Sequence, residues 1–393
     1  MRAAIAATCS TGLAALLLTI ASPAVAQDFA DRTLWAPTIK LSGRIFLDRV
    51  EQAVDREVGA DTDVDENRLR AARLALSGSL NSNWTYKAEA SITSQDQKPQ
   101  WEDLFLAYKI GGSTTITAGN FRTVSFESIS SSLNNTFMER GAYNDVIDAG
   151  RVMNVAVRRT GPNWTIQAAV SGDSVNTGDT ITSEQVAISV RGTWAPAMPD
   201  GQALHLGFWA RTRDRGEGAA FSYRVRNNTN YGARYTSSGA IGDSDTMASL
   251  EGLWIAGPVS LQGEAVYIDI DRTNGLGQNA SAYYLAASWF VTGERRNLDV
   301  KKGILGRTAI LAPVTKGGPG AIELAARYDS VDLTDITGPA QAGRYSAWTF
   351  GANWYPLPRV RFMGNYTRSR NDNPAVGADV DVDTVQVRAQ FDF

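Results

Sequence analysis

The sequence predicts an all-β fold, a transmembrane antiparallel β-barrel of sixteen strands, and three observations lead to it. Residues 383–393 alternate polar and apolar side chains and end on the aromatic Phe393. Such a strand has one face for lipid and one for water. The same alternation recurs along most of the chain. Tryptophans gather near one set of strand ends, where aromatic rings meet the membrane interface in barrels.

Period-2 alternation marks sixteen candidate strands. They are residues 38–48, 67–80, 83–92, 101–110, 113–121, 150–159, 163–171, 184–195, 202–213, 246–256, 258–270, 281–292, 320–333, 344–356, 358–370 and 381–393. An even number places both ends of the barrel chain on the periplasmic side. The tight turns predicted on that side are residues 81–83, 111–112, 161–163, 257–258 and 356–358. Two connections on the outer side, 121–149 and 214–245, are too long for simple hairpins. We expect these long loops to fold into the lumen.

The N-terminus predicts export. Arg2 is followed by an apolar stretch at 13–20 and small residues at 24–26, which together indicate a secretory signal peptide. The single cysteine, Cys9, falls inside it, so the mature chain is expected to lack thiols. The predicted organisation is a signal peptide at 1–26, a short periplasmic segment at 27–37 and the barrel at 38–393.

Six of the ten tryptophans lie within about four residues of the predicted periplasmic turns and share the apolar side of their strands. They are Trp84, Trp164, Trp194, Trp254, Trp289 and Trp354. A soluble β-sandwich would place tryptophans in mid-strand core positions instead. The same strand parity predicts that further apolar side chains face lipid. They are Leu74, Leu76, Val186, Ile188, Leu204, Leu206, Phe350 and Val387. The barrel is therefore the better interpretation.

Several short motifs, in order and spacing, resemble the phosphate- and polyphosphate-selective porins, the O/P-type family. They are Arg70–Gly78, Asn83–Lys87, Gly119–Phe121, Thr136–Arg140, Trp289–Arg296 and Glu323–Tyr328. The resemblance implies a homotrimer of sixteen-stranded barrels, a third loop folded into the lumen and an arginine ladder that leads anions to a constriction. Known members cluster lysines at the constriction, whereas residues 121–149 contain Arg122 and Arg140 and no lysine. They also carry an N-terminal coiled coil, for which 27–37 is too short.

Strand parity predicts a mildly positive lumen. The basic positions opposite the apolar face are Arg44, Arg73, Lys87, Arg191, Arg211, Arg213, Arg327, Arg361 and Arg388. The acidic ones are Asp48, Glu89, Asp103, Glu251, Glu264 and Glu323. The long loops add further candidates for contact with solute, Arg122, Arg140, Arg224, Arg226 and Arg234. The alternative for each is a salt bridge in the wall or an anchor for its loop.

Arginine also dominates overall, since only seven of the 38 Lys and Arg residues are lysine. This bias suits oxyanion contact, because the guanidinium fork matches carboxylate and phosphate oxygens. A GC-rich genome would produce the same bias. Arg68 and Arg70 fall on the lipid-facing parity near the outer end of a strand, where they would suit lipid phosphates.

Catalytic sites are poorly supported. His205 is the only histidine, and a lone histidine is more often a hydrogen-bonded wall residue than a base. Acidic runs at 61–66 and 379–383 lack the spacing of a defined calcium site and are interpreted as solvated loop charge. The sequence thus indicates no enzyme, no cofactor and no metal site.

The sequence therefore predicts an outer-membrane porin of a Gram-negative bacterium for passive diffusion of small anionic solutes, with phosphate or polyphosphate as candidates. The alternatives are a general diffusion porin with weak charge preference and a plugged barrel that acts as an anchor or adhesin. Expected partners are outer-membrane lipid, lipopolysaccharide, the barrel assembly machinery and copies of the chain in a homotrimer. The net charge of −3 gives no sign of nucleic acid. Phe391 and Phe393 are the predicted assembly signal.

Overall fold

The computed structural model of the chain describes residues 37–93, 98–177, 185–216, 220–272, 277–336, 342–372 and 379–393. The predicted signal peptide and all but the last residue of the short segment after it lie outside these ranges. Nineteen strands run through the described residues: β1 Lys40–Arg56, β2 Val64–Ser79, β3 Trp84–Ile92, β4 Gln100–Ile110, β5 Thr114–Phe121, β6 Val152–Thr160, β7 Trp164–Ser171, β8 Val186–Trp194, β9 Gln202–Asp214, β10 Phe221–Arg224, β11 Ser237–Ala256, β12 Val259–Arg272, β13 Gln278–Phe290, β14 Asn297–Asp299, β15 Ile304–Gly306, β16 Ala321–Asp332, β17 Arg344–Leu357, β18 Val360–Asp372 and β19 Val380–Asp392.

Sixteen of the described strands form one closed antiparallel barrel, because all but β10, β14 and β15 pair with both of their neighbours around the ring. Closure is made by β19 and β1, which pair from Arg44 opposite Asp392 to Arg56 opposite Val380. A closed sheet leaves no unpaired edge in the membrane. Each predicted strand overlaps one barrel strand, so the predicted fold is confirmed. The largest differences are β1 and β11, which extend further at their outer ends than the alternation indicated.

The outer face of the barrel is apolar, as predicted. The side chains assigned to lipid by parity lie on the outside, and Val186, Ile188 and Phe350 are each more than half exposed. All six interfacial tryptophans also point outward, with 36% to 48% of their surface exposed. They ring the barrel at its periplasmic end, which is the arrangement expected of an interfacial girdle.

The prediction that Arg68 and Arg70 face lipid is wrong. The pairing of β1 with β2 shifts between Phe46 and Leu47, so that Arg70 is an extra residue in a β-bulge. A bulge exchanges the two faces of the strand beyond it. Arg68 therefore lies opposite Asp48 on the lumen side, and Arg70 reaches a carboxylate inside the barrel.

Three connections fold into the barrel. Loop L3, residues 122–151, carries two short helices, α1 Phe126–Ile129 and α2 Tyr143–Val146. Loop L5, residues 215–236, is described at 215–216 and 220–236, and the latter part carries β10. The periplasmic segment, residues 291–320, carries β14 and β15, and its Leu305 packs with Phe126 of L3. No helix among the described residues is long and apolar enough to cross a membrane.

Much of the lumen is filled rather than open. A cluster of buried apolar side chains joins L3, L5 and the walls formed by β9, β11–β13, β16 and β17. Tyr143 of L3 lies at its centre, where its hydroxyl bonds to Ser249 at 2.6 Å and accepts from Trp209 Nε1 at 3.1 Å. Burial on this scale stabilises the loops inside the barrel. Polar space remains elsewhere in the lumen, notably along β1–β3.

Candidate functional site

Two cavities lie along the inner face of β2. The outer cavity has a volume of about 350 Å³ and holds four arginines and no carboxylate among its lining residues: Arg68, Arg70, Arg226 and Arg234. The inner cavity, of about 290 Å³, is lined by six cations and two carboxylates: Lys40, Arg44, Arg73, Lys87, Arg307, Arg359, Glu89 and Asp392. Cations therefore outnumber carboxylates in both linings, although three of the four outer arginines also pair with carboxylates beside the cavity: Arg68 with Glu66, Arg70 with Glu139 and Arg226 with Asp145.

The two cavities are close together along the strand. Arg70 lines the outer one and Arg73 the inner one, and three strand residues span about 10 Å. We call the cations of β1–β3 that line them the basic track: Lys40, Arg44, Arg68, Arg70, Arg73 and Lys87. The track runs down one side of the lumen from the outer end of β2 to the periplasmic end of β1.

Carboxylates of β3 and β4 hold the middle of the basic track in place. Glu89 lies 2.5 Å from Lys87 Nζ and 3.5 Å from Arg44 Nη2, and Glu102 lies 2.6 Å from Arg73 Nη2. These pairs fix the side chains while the cations still outnumber the carboxylates in the cavity lining. Asp103 also pairs with Lys87 at 2.6 Å, so these carboxylates hold Arg44, Arg73 and Lys87 in place and offset part of their charge.

Four other arginines predicted to line the pathway bind the backbone of L3. Arg361 donates to the carbonyl oxygens of Asn135 and Thr136, each at 2.7 Å. The remaining three bind L3 carbonyls in the same way: Arg388 to Met138, Arg327 to Glu139 and Arg211 to Ile147. These wall cations anchor the loop backbone.

Two further predicted residues are neutralised by buried partners. Arg213 forms a bidentate pair with Asp245 and lies 3.9 Å from the centre of the Phe221 ring. Arg191 pairs with Glu251 at 2.5 Å. The same carboxylate lies 3.0 Å from His205 Nε2, so His205 is a hydrogen-bonded residue of the wall. None of this group lines either cavity along β2.

The loop arginines divide between L3 and L5. Arg122 Nε donates to the Ala149 carbonyl at 2.7 Å and so joins the two ends of L3. Arg140 donates from Nε and Nη2 to three carbonyl oxygens at the end of α1, those of Glu127, Ser128 and Ser130. By contrast, the L5 arginines Arg224, Arg226 and Arg234 are exposed at the outer opening.

Sequence reasoning missed the residue that connects L3 to the basic track, Glu139. Its carboxylate lies 2.8 Å from Arg70 Nε and 2.7 Å from Arg388 Nη2, and Arg388 also makes a bidentate pair with Asp48. Burial alone would raise the pKa of Glu139, but Arg70 and Arg388 outweigh it and hold the pKa well below its usual range. The loop is thus fastened by an ionised carboxylate.

Arg296 of the periplasmic segment was also missed. It donates to the Asn134 carbonyl of L3 at 2.6 Å and pairs with Glu323 of β16. The segment therefore supports L3 from below. Strand alternation does not mark residues 291–320, because the segment follows no regular period.

Comparisons with known proteins agree with this architecture. The family model for "phosphate-selective porin O and P" matches residues 39–393. Porin O of Pseudomonas aeruginosa is 24% identical over 368 residues, covering 84% of this chain and 82% of porin O.

Two solved structures share the fold. The outer membrane channel DcaP of Acinetobacter baumannii aligns with a TM-score of 0.58 and 11% identity, over 93% of this chain and 99% of DcaP. The anion-selective porin of Comamonas acidovorans aligns with a TM-score of 0.55 and 14% identity, over 91% of this chain and all of that porin. With the closed barrel and the match of the family model, these findings place the protein in the Gram-negative outer membrane. The chain belongs to the family of phosphate-selective porins O and P.

Proposed function

We propose that the protein is a narrow diffusion channel for small anionic solutes. Inorganic phosphate and polyphosphate are the first solutes to test. The observation that carries the proposal is the basic track, which lines two adjoining cavities in which cations outnumber carboxylates. Fixed positive charge in a confined space with low-dielectric walls enriches anions and repels cations. The guanidinium groups also match phosphate oxygens geometrically.

The path of solute in this proposal follows β1–β3. L3, L5 and the opposite wall enclose the apolar cluster, which favours a narrow channel over a wide general diffusion porin. The same cluster supports a second candidate, a barrel with a closed lumen that acts as an anchor or adhesin. We further propose a homotrimer, as the family resemblance implies.

Planar-bilayer recordings across a KCl gradient distinguish these candidates. We expect discrete conductance steps and a reversal potential whose sign shows that chloride is more permeant than potassium. Phosphate should reduce the chloride current as it occupies the track. A closed barrel gives no steps, and a general porin gives a reversal potential near zero.

The double substitution K40Q/R234Q tests the charge of the two cavities. Lys40 lines the inner cavity and Arg234 the outer one, and both side chains are exposed. Removing two screened charges should lower anion-over-cation permeability by about twofold. The matched control is R159Q, because Arg159 faces outward, opposite Ile166. Equal reversal potentials in K40Q/R234Q and the parent would contradict the proposal.

The double substitution R122Q/R140Q should behave differently. Both guanidinium groups bind carbonyls inside L3, and a hydrogen bond to a charged group contributes about 1.5–3 kcal/mol. We therefore expect faster hydrogen–deuterium exchange across residues 122–151, with little change in reversal potential. A lower anion preference with unchanged exchange would instead make these arginines part of the solute path.

A further inference from the structure

Charged side chains occupy lipid-facing positions in the outer halves of β1, β2 and β16–β19. We call this set the outer ionic belt. Its cations are Arg49, Arg344, Arg368 and Arg370, and its carboxylates are Glu51, Asp65, Asp332, Asp372, Asp379, Asp381 and Asp383. Its placement on the outside of a membrane barrel calls for an explanation, since lipid-facing positions are normally apolar.

The belt is outside the lumen. Arg368 lies opposite Asp383 on the next strand, and the side chains of Arg368 and Arg370 are 63% and 58% exposed. Arg370 pairs with Asp372 and Asp379, each at 2.6 Å. The arginines are thus held in extended positions by neighbouring carboxylates while much of each guanidinium group remains accessible.

The belt lies in the outer part of the apolar band and at its margin with the headgroups. Phe362, eight residues before Arg370 on β18, stacks on the girdle residue Trp354 at 5.6 Å. A tilted strand climbs about 2.5 Å per residue, so Arg368 and Arg370 lie about 15 and 20 Å above the girdle, in the outer part of an apolar band about 25 Å tall. A charge at mid-membrane costs about 2–4 kcal/mol, and the cost falls toward the interface, which long arginine side chains can reach.

The arginines of the belt lie on one side of the barrel. Outward-facing carboxylates also occur elsewhere, as Asp214 on β9 and Asp269 and Asp271 on β12, but no arginine or lysine faces outward on β7, β8, β9 or β11. A general adaptation to the membrane interface would distribute both signs of charge around the barrel. A group of outward arginines on one arc, from β17 to β1, points to a specific anionic ligand.

We propose that the outer ionic belt binds the phosphorylated headgroup of lipopolysaccharide. The accessible guanidinium groups contact its phosphates. Carboxylates outnumber arginines in the belt, so divalent cations between carboxylates and further phosphates complete the charge balance. Trp348 lies directly opposite Arg368 on the neighbouring strand and stacks on Phe350 at 6.2 Å on the same outer face, where both rings contact the acyl chains.

An ionic surface that adjoins aromatic rings on the same outer face matches an amphiphile standing in the leaflet. A second copy of the chain could also cover the belt, and the experiment below separates the two occupants. The inference is independent of the channel activity proposed above, since no belt residue lines either cavity along β2.

The first test compares the parent protein with R368Q/R370Q, each purified in mild detergent from outer membranes. Lipopolysaccharide retained per barrel, measured by native mass spectrometry, should fall by about tenfold in the variant. The matched control R159Q removes an outward arginine near the periplasmic end of β6 and should retain parental amounts. Heat-modifiable migration in gels confirms that each variant is folded.

The second test needs no substitution. Delipidated parent protein is mixed with lipopolysaccharide, with the same glycolipid after enzymatic dephosphorylation, or with phosphatidylglycerol, each with Mg²⁺ or with EDTA. We expect binding of the phosphorylated glycolipid in Mg²⁺ to be at least tenfold tighter than in the other conditions. Equal binding of the dephosphorylated form overturns the proposal. So does loss of oligomers in R368Q/R370Q with no loss of lipopolysaccharide, because the belt is then a subunit contact.

Discussion

Replacing Phe393 with aspartate should reduce the amount of folded barrel in outer membranes by roughly tenfold or more. Phe393 follows the closing strand, and its backbone exchanges two hydrogen bonds with Gly43 of β1, at 3.1 and 3.2 Å. Its ring lies outside the barrel near Phe391, with ring centres 6.0 Å apart. The substitution removes this aromatic surface and places a charge where lipid meets the strand. Heat-modifiable barrel in purified outer membranes is the measurement.

Gly43 offers a matched test with Phe393 left in place. A Cβ at position 43 would lie 2.4 Å from the Phe393 ring and 2.8 Å from the Arg73 carbonyl oxygen of β2, so it strains both the ring contact and the pairing of β1 with β2, whereas a Cβ at Gly364 on β18 would meet nothing within 4 Å. Leucine at position 43 should therefore displace the ring and reproduce the assembly defect. Leucine at position 364 should not.

The conservative substitution F393Y should assemble almost normally, since it keeps the ring. Parental amounts of heat-modifiable barrel in F393D would show that closure depends on the backbone pairing alone. A defect shared by the two glycine variants would show that bulk on the outer face, rather than contact with Phe393, is responsible.

The strands were predictable because one rule governs them. Every barrel strand separates water from lipid, so its sequence must alternate, and the alternation is visible without knowledge of its neighbours. The tryptophan girdle follows from the same physics. The bulge at Arg70 was not predictable in this way, because a single extra residue reverses the faces without disturbing the local composition.

The alternation of polar and apolar residues correctly predicted that the wall arginines point into the lumen. It could not identify the groups to which they donate hydrogen bonds. Arg361 binds carbonyls of L3 that lie more than 220 residues earlier in the chain. That contact depends on the path of the loop, which has no period to detect. For the same reason, the alternation could not separate anchors such as Arg361 from track residues such as Arg73.

The periplasmic segment shows the same limit. Residues 291–320 return through the periplasmic opening and reach L3 through Arg296 and Leu305. Tight turns are the usual periplasmic connections in barrels, so a long inserted one is not expected from the pattern. Only the tertiary contacts reveal its support of L3.

Replacing Glu139 with glutamine should release part of L3. Glu139 pairs with Arg70 and Arg388 inside the lumen, and removal of one partner from a buried ion pair costs about 3–5 kcal/mol. We expect larger and noisier single-channel conductance, because the loop leaves the wall. Anion preference should rise as Arg70 loses its carboxylate. The control is E51Q, since Glu51 pairs with Arg49 at the exposed outer surface and such pairs contribute about 1 kcal/mol or less.

Acid provides a check on the sign of this interaction. The pKa of Glu139 is lowered in the folded protein, so its stabilisation of the docked loop is fully present above the ordinary glutamate pKa of about 4.3 and is lost as the pH falls through the lowered value. Parent conductance should therefore stay constant from neutral pH down to about 5 and grow noisier only in strong acid. In E139Q the noise should already be present at neutral pH.

A double variant, R70Q/E139Q, should be less noisy than E139Q, because it no longer leaves Arg70 uncompensated. If E139Q behaves like E51Q at neutral pH, then the carbonyl bonds from Arg327, Arg361 and Arg388 hold L3 without the carboxylate.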